Sequence, residues 1–304
     1  MKKYLQLIRL PNLLMIALTQ LVIKYCFFEP FPVEITLNGF GFSLLILATV
    51  CLAAAGNIIN DIHDVEADEI NKPHKVILGK HISEKTAYNL FLIFNVIGVL
   101  LGFYLSNMIG KPIFSGIFIM VSGILYLYAT SFKSYLVVGN LLISALVALV
   151  IILPGLFDLL PAITPQNQET QRTFVSILVD YAIFAFLINW LREMVKDQED
   201  IQGDHKAEVN TLPIALGKER TNKLIFGFSL IPLFAILYYI YAYLYQNTYA
   251  MIYAFVFILI PLVWFMSKII SAKNKKEFSN LSGILKLILL LGIISIALYP
   301  LLWK

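Results

Sequence analysis

Asn57-Ile-Ile-Asn60-Asp61-Ile-His63-Asp64-Val-Glu66-Ala-Asp68-Glu69-Ile-Asn71-Lys72-Pro73 follows directly on an apolar run, Ser43–Ala55. Asn60, Asp64 and Asp68 stand four apart, so a helix would stack their side chains on one face. Such a face is costly, because two carboxylates ~5–6 Å apart repel by roughly 3 kcal/mol at an effective dielectric of ~20. A counter-ion is needed, and divalent cations with oxygen ligands are the usual answer. The same chemistry returns in Arg192-Glu193-Met-Val-Lys196-Asp197-Gln-Glu199-Asp200-Ile-Gln-Gly203-Asp204, again straight after an apolar run, Tyr181–Leu191. Glu193, Asp197, Asp200 and Asp204 follow i, i+4, i+7, i+11, which is one helical stripe. Two acidic stripes at the ends of two membrane helices could hold a pair of Mg²⁺ ions against one diphosphate, with Lys and Arg supplying further charge.

The rest of the chain makes those helices membrane helices. At 304 residues, 59% hydrophobic and 14% charged, with mean hydropathy +0.80, it is too apolar for a soluble domain. Long apolar runs without period-2 alternation favour helices over a barrel. Nine spans able to cross ~30 Å of hydrocarbon are expected, at 11–28, 41–60, 86–106, 111–130, 135–157, 173–192, 221–244, 249–270 and 281–302. Residues 1–304 read as one all-α membrane domain, its helices bundled around a central cavity. Lys2, Lys3 and Arg9 resemble the start of a signal peptide, but no small-x-small cleavage site follows, so the first span is expected to stay. Cys26 and Cys51 fall in apolar runs and suggest neither a disulfide framework nor a metal site.

Basic residues give the orientation. Lys72, Lys75, Lys80, Lys85, Lys133, Arg192, Lys196, Lys206 and Lys218 fall on the side of the N-terminal lysines, whereas Lys24, Lys111, Arg172 and Lys304 are nearer the other. The positive-inside rule makes the first side cytoplasmic, with the N-terminus inside, the C-terminus outside and a cytoplasmic-side active site in a cell inner membrane. The net charge of +4 reflects this topology and not affinity for nucleic acid. The segments 28–32 and 158–171 read as plain connectors with no chemistry.

Asn60-xxx-Asp64-xxx-Asp68 followed by Asn71-Lys72-Pro73, then Asp200-xxx-Asp204 followed by Thr211-Leu212-Pro213 and Gly217, resembles the UbiA superfamily of intramembrane prenyltransferases over nearly the whole length. Tyr128, Lys133, Gly139 and Asn140 match the family's tyrosine, basic residue and Gly-Asn pair. The run Arg192–Asp204 is similar to the branch that makes ether lipids from geranylgeranylglyceryl phosphate. The resemblance implies nine helices, Asp-rich motifs on the second and sixth, and transfer of a prenyl group from a diphosphate to a lipid-like membrane acceptor. Where many relatives carry arginines after the first motif, this chain has Lys72, Lys75 and Lys80, which neutralise phosphate as point charges without a bidentate fork.

On this reading Asp64, Asp68, Asp200 and Asp204 hold two Mg²⁺, with Asn60 and Asp61 completing or orienting the first site. Lys72, Lys75, Lys133, Lys196 and Arg192 contact the diphosphate, and Tyr128 or Trp190 faces the allylic cation. Asp61, Glu66 or Asp197 takes the acceptor proton. Each assignment has a plainer counterpart: lysines that only set topology, aromatics that only pack, acids on a solvated helix end. Asn12 either faces the cavity or caps its helix. The alternatives for the whole chain are an aromatic-acceptor prenyltransferase of quinone synthesis and, from another class, a transporter or channel. Against the last, the acids gather at one face and not at the bilayer midplane.

Overall fold

A computed structural model describes residues 1–74 and 76–302. Its described residues contain nine helices long and apolar enough to cross a membrane: α1 Leu10–Phe28, α2 Gly39–His63, α3 Glu84–Met108, α4 Pro112–Thr130, α5 Val138–Ala162, α6 Gln168–Lys206, α7 Lys218–Leu244, α8 Thr248–Ile269 and α9 Lys275–Ala297. All nine expected spans are present. Helices α2, α3 and α4 pack together on one side, and α6 packs against α5, α7 and α9 on the other, with α1 touching α2, α5 and α9. The bundle encloses a cavity of about 760 Å³, walled by α1, α2, α4, α5, α6 and α9. Helices α3, α7 and α8 supply none of its lining and buttress the wall from outside. Outward positions such as Leu100 and Phe234 stay exposed, as a lipid-facing surface requires. Exposed Tyr241 and Tyr249, at the turn between α7 and α8, suit an interfacial aromatic belt at the end away from the acids.

Two boundaries differ from the periodic reading. The first acidic stripe does not lie on one continuous helix. α2 stops at His63, Asp64 leaves helical geometry with ψ 2, and a short helix Val65–Asn71 begins afresh. The bend turns Asp68 and Lys72 across the mouth of the cavity, whose lining includes both. α6, by contrast, runs unbroken for 39 residues, well past the span end expected at 192, and carries Asp197, Asp200 and Asp204 on the helix that their spacing predicts.

The connectors at the opposite end are not plain. Lys24 and Asp158 are 1% and 0% exposed and form an ion pair of 2.7 Å across 134 residues of chain. Lys24 also donates to the Leu37 carbonyl at 2.6 Å, and the Leu37 amide donates to the other Asp158 oxygen at 2.7 Å. Both residues sit on wide π-helical turns, Ile23–Phe28 and Gly155–Leu159, which re-aim side chains relative to a regular helix. Lys24 is therefore an internal cross-link between α1, α5 and the start of α2. A hydropathy reading sees only a lysine near the end of a span; its partner is too distant in sequence to register.

Candidate active site

The site stands at the end of the bundle where α2 and α6 terminate. Asn60, Asp61, Asp64, Asp68, Lys72, Tyr128, Lys133, Arg192, Lys196, Asp197, Asp200 and Asp204 all line the one cavity. Lys75 lies outside the described residues. Lys80 is exposed on a turn, and Glu66 is exposed too; neither lines the cavity, so Glu66 is set aside as proton acceptor. Trp190 does not face the cavity either. Its ring stacks against Phe186 and Phe228 at 6.4 and 4.7 Å, on the α7 side of α6, which removes it as a partner for a cation and leaves it a packing residue.

The two acidic segments are joined by lysines and by a clamp. Lys133 donates to Asp64 Oδ1 at 2.5 Å, while Asn60 donates to Asp64 Oδ2 at 2.6 Å. Lys72, from the first segment, donates to Asp200 Oδ2 on the second at 2.5 Å. Next to it, Asn71 donates to the Asp200 carbonyl and accepts from the Gly203 amide, each at 2.8 Å. A Cβ on Gly203 would run into the Ala67 carbonyl and the Asn71 side chain, so a glycine there permits the short helix to dock on α6. Asn71 and Gly203 were legible only as members of a motif. Their role as the seam between the two stripes is a finding of the structure.

The tyrosine and its lysine arrive by a strained turn. Val137 has φ 67, an outlying conformation for a β-branched residue, and directly caps α5. A Cβ on the following Gly139 would stand 3.1 Å from the Tyr128 ring and 3.3 Å from Lys133 Cα. Asn140, one residue on, donates to Asp197 Oδ2 at 2.8 Å. The Gly-Asn pair thus sets Tyr128, Lys133 and Asp197 against one another.

Arg9 and Lys286 are cavity residues that the sequence reading misses, and Asn12 takes the cavity-facing of its two expected positions. Arg9, at φ 54 before α1, pairs with Asp61 at 2.6 Å. Asn12 does not cap its helix but accepts from Lys286 at 3.0 Å, and Lys286, inside the span of α9, also lines the cavity. A lone lysine within an apolar run gives no periodic signal.

Charge at the mouth is unbalanced. Asp68 and Asp204 side chains make no hydrogen bond or ion pair with other described residues, and Asp200 Oδ1 is buried without a hydrogen bond. Burial pushes the Asp68 carboxyl above the usual carboxylate range; Lys72 opposes that and Asp64 reinforces it. For Lys72 and Lys133 burial disfavours the charged form, but Asp200 and Asp64 respectively outweigh it, and both stand above the ordinary lysine value. Both lysines are therefore ammonium groups at neutral pH. No set of three acids, histidines or cysteines is already gathered into a single ligand cluster among the described residues. Oxygen donors in excess, several of them unpartnered, suit a hard divalent cation.

Comparisons with known proteins give the family and the fold. The chain is 31% identical over 233 residues to the digeranylgeranylglyceryl phosphate synthase of Methanothermobacter thermautotrophicus, covering 76% of this chain and 73% of that one. A solved structure of a digeranylgeranylglyceryl phosphate synthase superposes with TM-score 0.66 at 26% identity, covering 97% of this chain and 98% of the other. A UbiA homologue from Archaeoglobus fulgidus, solved bound to GPP and Mg²⁺, shares the fold with TM-score 0.59 at 16% identity and covers 97% of this chain and 99% of its own. The profile of the UbiA prenyltransferase family matches residues 33–290, and the chain belongs to that family.

Proposed function

We propose that this prenyltransferase moves a geranylgeranyl group from its diphosphate to the free hydroxyl of geranylgeranylglyceryl phosphate, in a Mg²⁺-dependent reaction. The observation that carries the reading is the single cavity with both acidic segments at its mouth and apolar side chains of α2, α4, α5 and α9 below. The two digeranylgeranylglyceryl phosphate synthases to which the chain is similar support the acceptor, and the A. fulgidus homologue with GPP and Mg²⁺ supports the donor and the metal.

Asp64, Asp68, Asp200 and Asp204, with Asn60, would hold the metal. When bound, Mg²⁺ supplies charge that neutralises the leaving diphosphate. The protein's own groups do the rest. Lys133 and Lys72, now on Asp64 and Asp200, are placed to swing onto phosphate oxygens, adding charge where it develops as the allylic C–O bond breaks. Tyr128 presents its ring toward the cavity beside them and can stabilise a carbocation through its face. The apolar walls exclude water, which would otherwise capture that cation. Asp197 keeps one carboxylate oxygen free of its bond to Asn140 and takes the proton of the attacking hydroxyl.

We further propose that residues 1–304 act as one unit in an inner membrane with the acidic end cytoplasmic. Cysteines placed at Lys80 and Gln246, both exposed and at opposite ends, should label from opposite sides of sealed vesicles; labelling from one side only would overturn the orientation. The reaction is tested by competition: purified protein receives geranylgeranyl diphosphate with geranylgeranylglyceryl phosphate and 4-hydroxybenzoate together. Mass gain on the glycerol phosphate is expected. Gain on the aromatic ring would transfer the chain to quinone-type chemistry, and full turnover in excess chelator would remove the metal.

A further inference from the structure

Lys286 is a cation placed within the apolar span of α9. A lysine at the middle of a membrane helix is costly to insert, so a residue kept there calls for a partner. Its Nζ donates to Asn12 Oδ1 at 3.0 Å, and it makes no ion pair among the described residues. A second cation, Arg192, lines the same cavity. Arg192 in turn shares one carboxylate, Glu193, with Lys196, at 3.1 and 2.9 Å. Arg192 Nε is buried without a hydrogen-bond partner. Lys286, Arg192 and Lys196 thus bring three cations to this part of the cavity, with Glu193 the one carboxylate bonded to them among the described residues, in contrast to the acid-rich mouth of Asp64, Asp68, Asp200 and Asp204.

Below the cations the surface changes character. Met15 and Ile16 follow Asn12 on α1 at helical spacing, and Leu289 and Ile293 follow Lys286 on α9; all line the cavity. An anionic head beside Lys286 would have an apolar slot between α1 and α9 for its tail. We infer that Lys286, Arg192 and Asn12 form a second anion subsite, separate from the acidic mouth, which takes the phosphomonoester head of the lipid acceptor. The assignment rests on the reading that the acceptor carries a phosphate. It gives the two amphipathic substrates separate head positions in one cavity, with Tyr128 and Asp197 also in its lining.

The experiment compares the full chain with Lys286→Met and Lys286→Arg. With geranylgeranylglyceryl phosphate varied, Lys286→Met should raise its KM about tenfold or more, the worth of a charge-assisted hydrogen bond. The KM for geranylgeranyl diphosphate should stay within about twofold, and Lys286→Arg should recover most of the loss. With phosphate-free geranylgeranylglycerol as acceptor, wild type and Lys286→Met should be equal. Dodecyl phosphate should compete with the acceptor in wild type and bind about tenfold more weakly to Lys286→Met, while inorganic phosphate competes poorly in both. A rise in the diphosphate KM alone, or in both together, would move Lys286 to the donor site and overturn the proposal. Equal potency of inorganic and dodecyl phosphate would leave an anion site without a lipid slot, also against it. Should wild type fail to prenylate geranylgeranylglyceryl phosphate, the acceptor reading falls by itself; dodecyl phosphate binding without turnover then judges the subsite, and binding indifferent to Lys286→Met rejects it.

Discussion

Both ends of the bundle bury charge, and they do so differently. At the cross-link far from the acids each Asp158 carboxylate oxygen has a donor, Lys24 or the Leu37 amide, and Lys24 gives a further hydrogen to a carbonyl. At the acidic mouth the Asp68 and Asp204 side chains have no hydrogen bond or ion pair among the described residues, and Asp200 Oδ1 has no hydrogen bond and only Lys275 Nζ at 3.9 Å. A saturated buried pair is a structural joint; an unsaturated cluster of like charges is a site awaiting a ligand. Membrane insertion makes both expensive, so the degree of satisfaction, and not burial itself, separates them.

The largest effect that can break this contrast is at the cross-link. Lys24→Met strands Asp158 as an uncompensated buried charge and should cost about 3–5 kcal/mol of stability, read as a lowered unfolding midpoint in detergent. Adding Asp158→Leu should recover most of it, and turnover per folded molecule should stay near wild type in the double variant. A double variant that folds but is inactive would make the cross-link part of the site. Next comes the mouth: Asp204→Asn should reduce prenyl transfer by roughly 100-fold or more, as losing one electrostatic group at a reacting centre does. Its midpoint should hold or rise, since removing one of several repelling carboxylates relieves the apo protein. A large fall in midpoint with near-normal rate would make that acid structural. The smallest effect belongs to the seam. Gly203→Ala forces the Val65–Asn71 helix away from α6 and should cost about 1–3 kcal/mol, with a rise in the Mg²⁺ needed for half-maximal rate. Unchanged metal dependence would show that the two acidic segments find each other without the seam.

The sequence makes the spans and stripes legible because both are local patterns: apolar runs of sufficient length, and acids spaced three and four apart. It also carries Lys133 and Asn140, through a motif. What it hides is pairing over long separations. Lys24 and Asp158, Asn71 and Gly203, and Asn12 and Lys286 are each ordinary residues until the bundle closes. The break at Asp64 is hidden for another reason: no proline or glycine marks it, and the spacing of Asn60, Asp64 and Asp68 fits an unbroken helix equally well. Trp190 shows the converse error, since an aromatic beside an acidic motif points inward or outward with no local sign of which.

The unbroken run of α6 has a geometric consequence. At ~1.5 Å per residue its 39 residues extend about 58 Å, roughly twice the ~30 Å hydrocarbon layer. A single rigid rod thus reaches from the greasy interior to the aqueous boundary and carries the reacting groups on its last turns. Where those turns lie, a hydrophilic pyrophosphate can depart into water while both hydrocarbon tails remain immersed. The two products are taken up by different phases, and the height of one helix reaches both.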